Sequence, residues 1–171
     1  HQELNLVEEL SAAANIFLGR EKVRGLGLLD DASMERAAGE LLKSLECDVD
    51  PRERAGALRV GDQQLIEIAK ALSLNTEILI MDEPTAALGP SETAMVVELI
   101  KKLSAEGIGI FLVSHDMHDV FELCDRVMVM NKGRKVGSYK IDEVSKDDVL
   151  SLIIKGDLPD GWTPRNGEVA Q

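Results

Sequence analysis

Apolar residues recur at spacings of three and four in the first third of the chain, which predicts amphipathic helices. Ser11 is expected to cap a short helix that runs to about Leu18, and residues 31–46 repeat the helical pattern. Glycines interrupt this pattern over residues 19–30, which are predicted to be mostly loop. The first 56 residues therefore favour a small, mostly helical subdomain.

Beyond residue 57, short apolar runs alternate with helical patterns. Residues 78–81 and 108–113 are each typical of a strand that is buried on both faces of a parallel sheet. A helix capped by Asp62 is expected before the first strand, and a helix opened by Gly89-Pro90 is expected between the two. This order predicts an α/β fold with a parallel sheet.

The last third of the chain carries a hairpin signal. Residues 127–130 and 135–139 flank Asn131-Lys132-Gly133, which is a typical turn sequence. A last helix is predicted over residues 145–155. The chain then divides into the helical segment 1–56, a core of residues 57–155, and a tail of residues 156–171 that is predicted to be mobile.

Composition narrows the possible functions. The chain has 171 residues with a formal net charge of −12, which argues against a nucleic-acid binder because such a protein normally presents a basic face. A hydrophobic content of 44% is enough for a packed core. The two cysteines are too few for a disulfide framework, and no apolar stretch approaches the roughly 18 residues of a membrane-spanning helix.

Two adjacent carboxylates, Asp82 and Glu83, follow the first predicted strand. Open α/β sheets place their ligands at this end of the strands, and successive side chains point in opposite directions. One carboxylate is therefore suited to Mg²⁺, and the other to orienting or deprotonating a water molecule. The alternative is a strand that ends in two solvated acids before the turn at Pro84.

Two further segments are candidates for phosphate contacts. His115 follows the second predicted strand, where a neutral imidazole offers one donor and one acceptor; the alternative is an exposed or helix-capping histidine. Residues 58–62 enter a helix at its N-terminus, where backbone N–H groups and the helix dipole favour anions. The alternative for this segment is an ordinary capped helix start.

Taken together, these motifs resemble the ATP-binding cassette (ABC) family of transport ATPases in order and spacing. Residues 78–83 match the Walker B strand, and His115 matches the switch histidine. The other matches are the signature motif at Leu58, Arg59, Val60, Gly61 and Asp62, the D-loop at Ala87, Leu88 and Gly89, and the Q-loop glutamine at Gln2. Within the family, residues 1–6, 15–21 and 64–72 are most similar to ATPases of monosaccharide importers of the ribose, xylose or fructose type.

The resemblance implies a P-loop NTPase-like nucleotide-binding domain that uses ATP and Mg²⁺. Glu83 would act as the general base, Asp82 would bind Mg²⁺, and His115 would contact the γ-phosphate. Gln2 would sense Mg²⁺ and the attacking water. The signature and D-loop segments would meet a second nucleotide-binding domain, the signature by contacting the ATP that this second copy holds.

The resemblance also implies partners and a location. Segment 1–56 would dock on membrane-spanning permease subunits at the cytoplasmic face of the membrane, with a periplasmic sugar-binding protein as an indirect partner. No nucleic acid is expected as a partner.

The sequence departs from the family pattern in two ways. No lysine follows a glycine, so the glycine-rich phosphate loop is absent and the chain is expected to be an N-terminally truncated cassette without ATPase activity of its own. In the signature, Arg59 replaces the usual serine, Val60 a glycine and Asp62 a glutamine, and Gly89 replaces an acid of the D-loop. The alternatives are a non-catalytic module that docks on a permease, or an ATPase of the DNA-repair branch of the superfamily.

Overall fold

A computed structural model describes residues 6–165 of the chain. Gln2, the predicted Q-loop residue, lies outside the described residues. Contacts divide the chain into two compact units, 1–113 and 114–171, and each is described by itself below. The predicted boundary between residues 56 and 57 falls inside the first unit and stays a prediction.

The first unit contains four helices and two strands within its described part. In chain order they are α1 (Ala12–Ile16), α2 (Asp31–Ser44), α3 (Val60–Leu72), β1 (Ile78–Asp82), α4 (Pro90–Ala105) and β2 (Gly109–Val113). Short 3₁₀ turns at Gly25–Gly27 and Ala55–Ala57 lie in the connections. The predicted order of elements is confirmed.

Local capping explains where the first two helices begin. The Ser11 side chain accepts a hydrogen bond from the Ala14 N–H at 3.1 Å, as predicted, although α1 ends at Ile16 rather than near Leu18. Asp30 caps α2 in the same way through Ser33. The buried positions of α2 follow the helical period and face α1 and α3; they are Met34, Ala38 and Leu42.

The start of α3 differs from the prediction. Arg59, in an extended conformation, occupies the N-cap position, and Asp62 lies in the first helical turn instead of capping the helix. The prediction of an Asp62 cap was wrong, because the helical conformation already begins at Val60 and Asp62 is the third residue of the helix. An acid in the first turn still complements the positive end of the helix dipole.

Strands β1 and β2 pair in parallel, with Ile78 opposite Gly109 and Asp82 opposite Val113. The prediction that both strands are buried on both faces was wrong for the described structure. Leu79 and Met81 are buried, but Ile80 on the other face is 72% exposed and Phe111 of β2 is 61% exposed. The described helices cover one face of this two-stranded sheet, and the sheet therefore presents an uncovered apolar face.

Helix α4 begins as predicted, with Gly89 as its N-cap and Pro90 in its first turn. The i,i+4 spacing of Glu98 and Lys102 predicts an ion pair, but the Lys102 ammonium lies 3.0 Å from the Glu46 carboxylate instead. It also donates to the Ser44 carbonyl at the end of α2, at 2.8 Å. Lys102 therefore ties α4 to the C-terminal end of α2, which offers unpaired carbonyls.

The second unit contains two helices and a hairpin within its described part. They are α5 (Met117–Leu123), β3 (Arg126–Asn131), β4 (Arg134–Lys140) and α6 (Lys146–Lys155), with a 3₁₀ turn at Ile141–Glu143 before α6. The strands are antiparallel, so the predicted hairpin is confirmed. Its core is a cluster of valine and leucine side chains: Val120, Val127, Val129, Val144, Val149 and Leu152.

No helix within residues 6–165 combines the length and apolar character needed to cross a membrane.

Candidate functional site

The two adjacent acids lie where β1 ends. Asp82 is the last residue of the strand and its side chain is exposed, whereas Glu83 is half-buried. The Glu83 N–H donates to the Val113 carbonyl at 2.8 Å, which extends the parallel ladder by one residue. The carboxyl ends of β1 and β2 are therefore held side by side, and both acids lie at the edge where α/β proteins bind ligands.

The backbone of Glu83 adopts a conformation that glutamate rarely occupies. Its φ angle is 49°, in the left-handed region, and the following residue is the buried Pro84. Residues before proline favour extended conformations, and a non-glycine residue in the left-handed region costs about 1–3 kcal/mol. Strain of this kind persists where the surroundings fix it, and it is concentrated at functional sites.

A pair of substitutions measures this strain. We expect Glu83→Gly to be more stable than Glu83→Ala by about 1 kcal/mol, because both remove the carboxylate and glycine alone accepts the positive φ angle without strain. Urea unfolding of the two variants gives the difference. At Glu40, on the exposed side of α2, the same pair should show the opposite order, since glycine weakens a helix. The strain assignment fails if alanine is as stable as glycine at position 83.

The predicted D-loop is built from consecutive turns. The Ala86 N–H donates to the Glu83 carbonyl and the Leu88 N–H to the Thr85 carbonyl, each at 3.2 Å. Gly89 then caps α4, and its N–H donates to the Glu92 carboxylate at 3.0 Å. This compact segment leaves Ala87 exposed and Leu88 and Gly89 half-buried.

The predicted signature segment carries an ion pair of its own. The Arg59 guanidinium nitrogen Nε lies 3.0 Å from the Asp62 carboxylate. The Arg59 side chain is 79% exposed, so this pair contributes at most about 1 kcal/mol and opens readily. Arg59 can therefore leave Asp62 for a stronger anion such as a phosphate, with which a guanidinium forms charge-assisted hydrogen bonds.

The structure brings the predicted signature segment against the first turn of α4, the helix that follows the predicted D-loop. Gly61 packs against Glu92, and a Cβ atom added to Gly61 would lie 3.0–3.1 Å from three atoms of the Glu92 side chain. A cavity of about 40 Å³ between the starts of α3 and α4 is lined by Arg59, Asp62 and Ser91 among others. A larger residue at position 61 would therefore force the Glu92 side chain to shift by a few tenths of an ångström, and glycine suits the close approach of α3 and α4 here.

Three further residues support the site and were not predicted from the sequence. One is Glu92, which accepts a hydrogen bond from the Gly89 N–H and contacts Gly61, as described above. The Gln63 side-chain amide donates to the carbonyls of Ala55 and Leu58, at 2.9 and 3.2 Å, and so fixes the entry to α3. Asn15 is fully buried and bonds to the loop before α1. The i,i+3 spacing of Gly89 and Glu92 is typical of a capping box, and it could have predicted the role of Glu92. No local sequence pattern predicts the roles of Gln63 and Asn15.

His115 belongs to the second unit, where it is exposed on the turn before α5. Two hydrogen bonds of Asp116 fix this turn. The Asp116 N–H donates to the Ser114 hydroxyl at 3.0 Å, and the Asp116 carboxylate caps α5 by accepting from the His118 N–H at 2.7 Å. His118 lies 3.5 Å from Glu122 on the surface of α5, which agrees with a structural role. The fixed turn presents His115 at a defined position.

The donor set at the end of β1 fits Mg²⁺. Within residues 6–165, no group of three or more His, Cys, Asp or Glu side chains is arranged as a metal site. Mg²⁺ nevertheless needs only one or two carboxylates, since this ion keeps several waters and takes its other ligands from substrate phosphates. Asp82 is exposed at the end of β1 and is the acid of the two that lies nearer to solvent.

The sequence of this chain is similar to a known protein family and to several of its members. The family model described as "ABC transporter" matches residues 1–86, half of the chain. The ribose import ATP-binding protein RbsA of Geobacillus kaustophilus is 39% identical over 172 residues, which cover 100% of this chain and 35% of that protein. Its counterpart in Chromobacterium violaceum is 43% identical over 173 residues, which cover 99% and 34%. The chain spans about a third of the length of these relatives.

Solved structures agree with the fold. A dimeric ATP-binding cassette in a post-hydrolysis state, bound to ADP and Pi, superimposes with a TM-score of 0.66 at 27% identity, covering 82% of this chain and 61% of that one. The cbiO1 protein of Clostridium perfringens, part of an ABC transporter complex, gives 0.65 at 25% identity, covering 81% and 53%. Because the family model matches half of its length and its strand-end acids lie where that fold places them, the chain belongs to the ABC transporter family.

Proposed function

We propose that this chain is part of an ATP-hydrolysing subunit that energises sugar import across the cytoplasmic membrane. The observation that carries the proposal is the Asp82–Glu83 pair at the carboxyl end of β1, with Glu83 held in a strained conformation. The two relatives named for ribose import support the choice of a sugar as the transported substrate.

The residues have distinct roles in this proposal. Asp82 helps to hold Mg²⁺, an ion that neutralises phosphate charge when it is bound. Glu83 accepts a proton from the attacking water and orients it, for which its half-buried carboxylate and rigid backbone are suited. His115 donates a hydrogen bond to the γ-phosphate, and Gln2 senses Mg²⁺ and the water.

The signature segment, Leu58 to Asp62, and the D-loop contact a second nucleotide-binding domain. Arg59 contacts the phosphates of the ATP that this second domain holds. The packing of Gly61 on Glu92, whose carboxylate accepts a hydrogen bond from the Gly89 N–H, supports a shared role for the two segments. The dimeric state of one similar cassette supports this arrangement.

The proposed location is peripheral, at the cytoplasmic face of the cell membrane. There the helical segment 1–56 docks on membrane-spanning permease subunits, and a periplasmic sugar-binding protein is an indirect partner. The membership of cbiO1 in an ABC transporter complex supports the existence of such partners.

The isolated chain is expected to bind ATP weakly, with a dissociation constant above about 1 mM, and to hydrolyse none. It has the hydrolytic acids, but the glycine-rich loop and lysine that cradle the β- and γ-phosphates are not part of its sequence. Isothermal titration with Mg-ATP measures the affinity. A complete cassette, in which this chain is joined to a glycine-rich phosphate loop, serves as the positive control. A micromolar affinity for the chain alone would contradict this expectation.

ATP hydrolysis by the complete cassette tests the proposed function and the role of Arg59 together. The cassette is expected to hydrolyse Mg-ATP, and Arg59→Ala should lower the rate about tenfold, the size of effect expected when a charged hydrogen bond to phosphate is lost. Arg134→Ala, which removes an exposed arginine from the hairpin, should leave the rate unchanged. An inactive cassette would refute the function; an unaltered rate in Arg59→Ala would refute only the role of Arg59.

A further inference from the structure

Residues 157–165, called the C-terminal strap below, contact three separate parts of the second unit. At its start, the Asp157 carbonyl accepts a hydrogen bond from the Ser151 hydroxyl of α6, at 3.1 Å. At its end, the Arg165 N–H donates to the carbonyl of Glu143, in the 3₁₀ turn before α6, at 3.1 Å. The strap therefore begins on one side of α6 and returns to the residues that precede this helix.

The middle of the strap is held by an aromatic pair. The ring of Trp162 packs edge-on against the ring of Tyr139 in β4, with 5.5 Å between the ring centroids and an angle of 65° between the planes. Such T-shaped pairs are favourable beyond the area that they bury. Leu158 and Trp162 also pack against the valine and leucine core of the second unit. The strap thus covers part of that core.

A carboxylate at the start of α6 joins the same set of contacts. Asp148 accepts hydrogen bonds from the Ser145 N–H at 2.8 Å and from the Ser145 hydroxyl at 2.6 Å. Burial raises the pKa of Asp148, but these hydrogen bonds and the charge of Arg165 outweigh it, and the pKa lies below its ordinary value. The carboxylate is therefore ionised at neutral pH and is attracted to the charge of Arg165 in the strap.

We propose that the C-terminal strap is a clasp that locks α6 onto the β3–β4 hairpin through Trp162. The Trp162 ring packs on Tyr139 of the hairpin and against the core cluster, to which Val149 and Leu152 of α6 belong. Opening of the clasp is a local unfolding step that uncovers the core beneath Leu158 and frees the end of α6. The inference is independent of the proposed function, because it concerns only contacts within this unit.

Limited trypsin digestion followed by mass spectrometry tests the clasp. Lys155 is exposed at the end of α6, and Arg165 ends the strap. In the wild-type chain, cleavage after Lys155 should be at least about tenfold slower than cleavage after the exposed Lys22 in the loop before α2, because cleavage after Lys155 requires the clasp to open. Trp162→Ala should accelerate cleavage after Lys155 about tenfold, measured against cleavage after Lys22 in the loop before α2.

Two matched variants and one spectroscopic measurement complete the test. Trp162→Phe keeps a ring against Tyr139 and should stay within about threefold of the wild-type rate. Thr163→Ala changes the exposed neighbour of Trp162 and should leave the rate as it is. Trp162 is the single tryptophan of the chain, so acrylamide quenching of the wild type reports its burial directly.

Two results would overturn the clasp even if Trp162→Ala failed to fold. One is a wild-type chain cleaved as quickly after Lys155 as after Lys22. The other is a wild-type Trp162 quenched as strongly as free N-acetyl-tryptophanamide. In the folded Trp162→Ala variant, an unchanged rate of cleavage after Lys155 would overturn it as well.

Discussion

Replacing Glu83 with glutamine in a complete cassette is expected to lower ATP hydrolysis by about 10²- to 10⁴-fold while ATP binding is retained. Positioned proton transfer by a side chain contributes an effect of this size. Glutamine keeps the shape of the side chain and the left-handed backbone of this position, but its amide cannot accept the proton of the attacking water. The loss should therefore appear in the turnover number and not in the affinity for Mg-ATP.

The measurement is phosphate release at saturating Mg-ATP, together with a nucleotide-binding titration of the same samples. Glu77→Gln is the matched control, because Glu77 is an exposed glutamate that lies just before the other end of the same strand. Its rate should equal that of the wild type. A Glu83→Gln cassette that retains more than about a third of the wild-type rate would show that another group acts as the base.

Replacing Asn15 with alanine is expected to lower the free energy of unfolding of the chain by about 3 kcal/mol. The side-chain oxygen of Asn15 accepts from the Val7 N–H at 2.8 Å, and its amide nitrogen donates to the carbonyls of Val7, Leu10 and Ser11. The residue is fully buried, so alanine would remove four hydrogen bonds at a position that water does not reach. The Val7 N–H would lose its acceptor, whereas each of the three carbonyls keeps one backbone donor. A hydrogen bond of this kind contributes roughly 0.5–1.5 kcal/mol.

Urea denaturation followed by circular dichroism measures this change. Asn75→Gly is the control, since it removes an exposed amide and glycine accepts the positive φ of 53° at that position; the expected change is below about 0.5 kcal/mol. If Asn15→Ala were as stable as the control, the network between Asn15 and the loop of residues 7–10 would have no energetic importance.

The fold was predictable from sequence where local rules dominate. Ser11, Ser145 and Gly89 cap helices because their side chains, or the lack of one, suit the N-cap position whatever lies around them. The turn at 131–133 similarly defines the hairpin. The pairing of Lys102 was not predictable in this way, because its helical neighbour Glu98 and the distant Glu46 compete, and only the packing of α4 beside α2 places Glu46 within reach.

The tail of residues 156–171 also shows that local sequence patterns do not predict long-range contacts. Residues 156–171 were predicted to be mobile from their glycine, proline and polar content, and the contacts of Trp162 and Arg165 depend on residues elsewhere in the chain. No local pattern shows that Tyr139 lies where a tryptophan ring can pack against it. The mobility of the tail stays a prediction, and the digestion described above measures it for residues 157–165.

The sequence by itself determined the order of helices and strands, the placement of Asp82 and Glu83 at the end of a strand, and the family that these motifs identify. These follow from local spacing and side-chain chemistry. Only the tertiary structure decided the left-handed backbone of Glu83, the contact of Gly61 with Glu92, and the burial of Asn15. Each of these depends on which segments, distant in sequence, pack against one another. The periodicity of apolar residues along the chain does not contain this information.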